Sequence, residues 1–296
     1  MITCIGEILI DRFQDENGTS DNIGGAPFNV AVAIKRSGGK SSFYGAVGKD
    51  ELGMFIKKET SKLGLDNLYI NELDNHPTTI ALVTLNNGER SFKFIRDNAA
   101  DYQLSFPLPS FIDESNIVHI GSLMLSEEIG REFVDKLIKY LKERHILISF
   151  DINYREDIFK GRKDIADIYK HVIDQIDILK ISDEEISIFG EEYINSLKNK
   201  LICLSLGSKG SEYRLNDMRG FVPSKKVKPI DTTGAGDAFF GGVLSQIDGY
   251  RLEELNKCIL NDAFRFANGV GALTTLGKGA INPIPTKEEV IRFINS

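Results

Sequence analysis

A repeated switch of hydrophobic period sets the fold of this chain. Short runs rich in β-branched residues alternate with longer amphipathic stretches. "MITCIG" reads as a strand. "PFNVAVAIKRSGG" reads as a helix, with Pro27 in its first turn and Gly38 or Gly39 at its end. "SSFYGAVG" is a strand, and "ELGMFIKKETSKLG" a helix closed by Gly64. Further on, "NIVHIGSL" and "HILISFDIN" bracket the helical "EEIGREFVDKLIKYLKERH", and "IDILKIS" and "KLICLSLG" are buried strands. Strands covered on both faces read as continuous apolar runs, and helical crossovers join them in parallel. The pattern predicts an α/β protein with a mostly parallel central sheet flanked by helices.

Two stretches break the rhythm. Thr78 to Asp97, "TTIALVTLNNGERSFKFIRD", alternates with period two on both sides of Asn86, Asn87 and Gly88, a hairpin signal. Ile8 to Ile23 is strand-like and then polar. Together, residues 8–23 and 78–100 predict a small antiparallel sheet inserted in the α/β body, serving as a lid or as an interface element. Repeats, low-complexity tracts and linkers are absent from the sequence, so residues 1–296 are expected to form a single domain.

Composition narrows the partners. Lys plus Arg is 36 against 43 for Asp plus Glu, a formal net charge of −7. Non-specific binding to nucleic acid or to an anionic membrane is disfavoured at that balance. Cys4, Cys203 and Cys258 are scattered, without a CxxC pair, which points to a reducing compartment. The N-terminal run lacks a basic segment and is interrupted by Glu7, so neither a signal peptide nor a membrane span is expected. A cytoplasmic location follows as an expectation.

The chemistry concentrates in "DTTGAGDAFFGG", Asp231 to Gly242. A helix predicted to start near Gly236 leaves first-turn N–H groups unpaired, with partial positive charge from the helix dipole. Gly234, Ala235 and Gly236 would let that backbone approach a phosphate closely. Asp237 stands at the edge of this anion hole and is expected to be ionised, ready to accept a proton from an attacking hydroxyl. Phosphoryl transfer to an alcohol needs this pair of features. The alternative is an ordinary loop with Asp237 stabilising a helix start. Gly241 and Gly242 argue against it, because helical glycine costs about 1 kcal/mol relative to alanine unless something packs closely there. Other phosphate motifs fail: Phe239 breaks a GxGxxG fingerprint, and Ile34 replaces the first glycine of a Walker loop ending in "GGKS".

"DTTGAGDAF" resembles the C-terminal signature of the ribokinase-like (PfkB) carbohydrate kinases, and "GGAPFNVAVAIKRSGG", Gly24 to Gly39, resembles their N-terminal signature. The order and the separation of about 200 residues fit, and the resemblance spans the chain. "GEILID" with "GGAPFNVA" is most similar to the fructokinase branch. The resemblance implies a ribokinase-like three-layer fold with a β-lid over the sugar. It implies an ATP-dependent transfer to a ketohexose hydroxyl, with ribose, 2-keto-3-deoxygluconate or a nucleoside as alternative acceptors. A non-catalytic sugar-binding regulator is the remaining alternative, although such a protein would be free to lose the base and the loop.

The same resemblance assigns roles. Asp237 matches the catalytic base, and Gly234, Ala235 and Gly236 the anion hole. Asp11, Gly25 and Asn29 match sugar contacts, chemically apt because carboxylates and amides bind vicinal hydroxyls well. Arg96 in "FIRDNAAD" is a further sugar candidate, with a solvated lid charge as the alternative. Asn153 and Arg155 in "FDINYR" match residues near the transferred phosphate. In "SDEE", Ser182 replaces the family's asparagine, while Glu185 keeps the acid that organises Mg²⁺ through water. Ser205, Gly207, Gly210 and Asn268 match ATP contacts. Asp231 and Thr233, with backbone oxygens of Thr274, Gly277 and Gly279, match a monovalent cation site suited to K⁺, although Pro283 departs from the serine common there. A homodimer through the lid is expected. His76, His119, His145 and His171 lack metal-ligand spacing, and Phe239 and Phe240 read as core.

Overall fold

The computed structural model describes residues 1–15, 18–86, 89–159 and 161–296. Strands β1 (Ile2–Ile5), β2 (Leu9–Asp15) and β3 (Gly18–Gly24) lead into helix α1 (Ala26–Arg36). Then come β4 (Ser41–Gly48), α2 (Glu51–Thr60), β5 (Asn67–Leu73), β6 (Ile80–Asn86) and β7 (Glu89–Ile95). The middle third holds β8 (Ile117–Ile120), α3 (Glu128–Lys142), β9 (Leu147–Asp151), α4 (Glu156–Phe159), α5 (Ile165–Ile173) and β10 (Ile178–Ser182). The rest comprises α6 (Ile186–Phe189), α7 (Glu191–Ser196), β11 (Leu201–Ser205), β12 (Gly210–Leu215), β13 (Met218–Pro223), α8 (Ala235–Ile247), α9 (Lys257–Thr274) and α10 (Lys287–Asn295).

Nine strands form the central sheet in the order β13-β12-β11-β10-β9-β8-β1-β4-β5. From β11 through β5 every neighbouring pair is parallel. Strands β1, β4 and β8 are buried at every position, as the continuous apolar runs require. One core cluster joins α1, α8 and α9 to the sheet and another joins α3 and α5 to it, which gives the predicted three layers. The β12–β13 hairpin was not anticipated. It turns at Asn216 and Asp217, with Asn216 in the left-handed region at φ 52°, a conformation that asparagine tolerates.

The second sheet has the order β3-β2-β6-β7 and combines both predicted lid segments. Its two hairpins are antiparallel, but β2 and β6 pair in parallel, so the sheet is mixed rather than antiparallel. Between the hairpins the chain returns to the body to build α1, β4, α2 and β5. Both hairpins therefore leave the body in the same direction, which makes their adjoining strands parallel. The predicted turn residues Asn87 and Gly88 lie outside the described residues.

Gly241 and Gly242 pack as their retention inside a helix implied. A Cβ on Gly241 would lie 2.5 Å from Ala33 Cβ and 2.8 Å from Val30 O, both on α1. A Cβ on Gly242 would lie 2.9 Å from Ala267 Cα on α9. Helix α8 is thus clamped between α1 and α9 at backbone distance, and its N-terminus is fixed relative to the N-terminus of α1.

Candidate active site

Gly234 opens α8 at φ 71°, the left-handed region, and a Cβ there would sit 2.7 Å from Ala280 Cβ. Glycine is required on both counts. Asp237 follows in the first turn of α8, where its Oδ2 accepts a 2.8 Å hydrogen bond from Asn29 Nδ2. Asn29 lies in the first turn of α1, so the close α1–α8 packing delivers this bond. Burial pushes the Asp237 carboxyl above its ordinary value, opposed by the Asn29 amide and by the positive charges of Lys180 and Arg155. Sequence reasoning expected a plain ionised aspartate. Desolvation instead makes it a stronger base.

Of the residues expected to touch the sugar, Asn29 is the one bonded to Asp237. Gly25 caps α1 at φ 112°, and a Cβ there would lie 2.4 Å from Glu7 O. A Cβ on Gly24 would lie 2.3 Å from Asp11 Oδ2, so the Asp11 carboxylate rests directly on Gly24. Arg96 is not a solvated lid charge: its guanidinium is bound by Asp101, by Ser126 Oγ at 2.5 Å and by Leu123 O at 3.1 Å. It also lies 4.6 Å from the centre of the Tyr102 ring. In this arrangement Arg96 joins the lid to the body.

Ala235 and Gly236, next to Asp237 in the chain, line a cavity of about 610 Å³. It gathers Ser182, Ser205, Gly207, Gly210, Gly236 and Asn268 from four separate stretches of sequence. Asn268 is anchored by donating to Val222 O and accepting from Ser211 Oγ, both at 2.9 Å. Glu185 accepts from the Tyr154 and Ser182 amides at 2.9 Å, so its carboxylate ties the Asn153–Arg155 segment to the end of β10. Ser182 returns the contact, accepting from Glu185 N at 3.3 Å. Asn153 has φ 38°, a turn that asparagine tolerates. The segment Ser224–Pro229 also borders the cavity and was not singled out from sequence, because it carries no pattern beyond polarity.

Asp231 joins the two loops around Gly234. One carboxylate oxygen accepts from Thr233 N at 2.7 Å and the other from Gly279 N at 2.9 Å. Thr274 is buried and donates to Val270 O. Gly277 packs against Pro283. Within the expected anion hole, the Ala235 amide donates to Thr232 O at 3.2 Å.

Two groups escaped the sequence reading. Lys180 and Asp151 form a buried pair, with Nζ 2.8 Å from both carboxylate oxygens. A Cβ on Gly236 would lie 3.6 Å from Lys180 Nζ, so the ammonium underlies the first turn of α8. Burial pushes Asp151 up to about 7, against the pull of Lys180. For Lys180 burial acts downward, but Asp151, Glu185 and Asp237 outweigh it and its pKa is raised. The signal was a lone lysine within the apolar "ILKIS". His119 is core, bound to Ser149 Oγ and lowered to about 3 by burial.

Glu7 is the second. It is fully buried, neither carboxyl oxygen has a hydrogen-bond partner, and burial pushes it up to about 8. Between its ordinary value and about 8, the unfolded chain ionises while the fold keeps the proton. This contribution to stability is full at low pH and is lost as pH rises through 8. A Glu7→Gln variant should therefore gain stability over the parent progressively from pH 5 to 8, read as urea midpoints. A constant difference over that range would show that Glu7 titrates normally.

Comparison with known proteins adds an independent line. Residues 1–287 match the model of the pfkB family carbohydrate kinases. The chain is 35% identical to Fructokinase-1 of Oryza sativa subsp. japonica, over 100% of this chain and 98% of the relative. A fructokinase from Xylella fastidiosa with bound ATP superposes with a TM-score of 0.90 at 27% identity, covering 99% of this chain and 98% of that one. A double mutant of the Vibrio cholerae O395 fructokinase, in a form with fructose, ADP and potassium ion bound, superposes with a TM-score of 0.89 at 32% identity. That match covers 99% of this chain and 97% of the other.

Proposed function

The chain belongs to the pfkB family of carbohydrate kinases, and from that premise we propose how its residues divide the work of phosphorylating a ketohexose, with fructose the preferred acceptor. The activity is phosphotransfer to a sugar hydroxyl. One observation carries the residue assignment: Asp237, in the first turn of a helix opened by a left-handed glycine, accepts from Asn29 and directly follows Ala235 and Gly236, which line the cavity.

Asp11 and Asn29 hold sugar hydroxyls, and Gly25 leaves room for the ring. Arg96, fixed by Asp101, supports that pocket through the lid. ATP occupies the cavity along Ser182, Ser205, Gly207, Gly210 and Asn268, and Asn153 and Arg155 approach its phosphates. Asp237 takes the proton of the attacking hydroxyl. The sugar oxygen then bonds to the γ-phosphorus as the bond to the bridging β–γ oxygen breaks, and ADP leaves. The Gly234 and Gly236 amides meet the charge on the phosphoryl oxygens, while the Ala235 amide holds the turn through Thr232 O.

Both Glu185 oxygens already accept amide N–H groups, which suits a water-mediated hold on Mg²⁺; that ion supplies charge neutralisation on the phosphates. Asp231 and Thr233, with main-chain oxygens near Thr274, Gly277 and Gly279, offer the hard oxygen donors a K⁺ ion takes, and they border the anion loop. The lid sheet ends in two edge strands, β3 and β7, and we assign homodimer formation to it, to be checked by light scattering of the intact chain. No helix among the described residues is long and apolar enough to cross a membrane.

A coupled ADP-release assay with fructose, ribose, 2-keto-3-deoxygluconate and a nucleoside tests the acceptor. Fructose should give the highest kcat/KM. A ribose value equal to or above that of fructose would overturn the choice.

A further inference from the structure

We propose that Arg36, at the far end of α1 from the reacting groups, is a positioning residue for the anion loop. Its Nη1 donates to three main-chain carbonyls of one loop: Ile281 O at 3.0 Å, Asn282 O at 2.9 Å and Ile284 O at 2.6 Å. The guanidinium is half-buried, and burial lowers its pKa against the opposing pull of Glu289. Glu289 is the charged group beside it.

The held loop is the wall against which the anion loop is built. Ala280, one residue before the first of these carbonyls, abuts Gly234, where a Cβ would meet the Ala280 Cβ at 2.7 Å. Gly279 donates to Asp231, whose other oxygen accepts from Thr233. Helix α1 is therefore tied into the site at both ends. Asn29 at its start fixes Asp237, and Arg36 at its end fixes the loop behind Gly234. Between those ends, Val30 and Ala33 contact α8 at Gly241, so α1, α8 and the 279–284 loop close a rigid triangle. Freeing one corner lets the Gly234 turn shift relative to the base. A misplacement of about 1 Å costs on the order of 10²-fold in rate.

This inference rests on the anion-loop assignment, and its test separates the two. In Arg36→Met, kcat should fall about 10- to 100-fold while KM for fructose stays within about twofold, since the sugar contacts keep their own supports. Amide exchange in the peptide spanning 231–240 should quicken. Arg36→Lys, which keeps a charge and donors on one nitrogen but carries them on a shorter stem, should fall between. An Ile194→Ala variant, truncated in the opposite core layer, gives a comparison at similar stability and should keep the parent kcat and exchange. If Arg36→Met and Arg36→Lys lose melting temperature but keep kcat and exchange in 231–240 at the parent values, Arg36 is merely structural and the proposal is overturned. Failure of the anion-loop reading itself would appear as normal turnover in a base variant, whatever Arg36 does.

Discussion

Replacing Asp237 by asparagine is expected to lower kcat by roughly 10²–10⁴-fold, the range for losing a positioned general base. The substitution removes little else. The Asn29 Nδ2 that donates to Asp237 Oδ2 can donate to an amide oxygen in the same place. The loop geometry rests on Gly234 against Ala280 and on Asp231, not on the carboxylate. Affinity for an ATP analogue, measured by calorimetry, should stay close to that of the parent. The pH profile gives a second check. Burial raises the Asp237 carboxyl, so kcat/KM of the parent should fall as pH drops through a value above the usual aspartate range. The asparagine variant should lack that acid limb. Near-normal turnover in the variant would remove the base from Asp237 and leave the loop an anion site without chemistry.

What the sequence revealed, and what it withheld, follows from where the determining interactions lie. The layers were legible because each strand carries its burial in its own apolar run, as in Ser41–Gly48, which is buried throughout. The turn into α8 was legible because glycine, alanine, glycine and aspartate stand next to one another in the chain. Close packing against α8 was legible as well, since Gly241 and Gly242 weaken a helix without such a reason. The partners were not. Nothing in the local pattern says that α1 fills the space at Gly241, or that β2 will run parallel to β6. Those facts arise where segments distant in sequence meet. The same holds for polar groups buried by tertiary contact: Asn268 could be matched by motif, but Glu7 and Lys180 sit within apolar strings and show their environment only when folded.

Lys180 leads to the second large effect. Breaking a buried pair by removing one partner leaves the other charge desolvated and alone, at a cost of about 3–5 kcal/mol. In Lys180→Met the Asp151 carboxyl would lose both of its 2.8 Å bonds, in a site already crowded by the negative charges of Glu185 and Asp237. The variant should lose stability by that amount in urea at pH 8, where the unfolded chain ionises Asp151 while the fold, without the Lys180 charge that pulls this carboxyl down, must keep it protonated or bury it as an unpaired anion. The loss should shrink at pH 5, because Asp151 can then take up a proton and go neutral. Removing both partners, as Lys180→Met with Asp151→Leu, should recover most of the loss, since buried pairs replaced by apolar groups of similar volume are often neutral in stability. Activity should not return in the double variant. The ammonium beneath Gly236 also lowers the Asp237 carboxyl, and the double variant no longer supplies that charge. A double variant recovered in both stability and turnover would confine the pair to a packing role, and the field under the anion loop would then have to come from the helix start and Arg155.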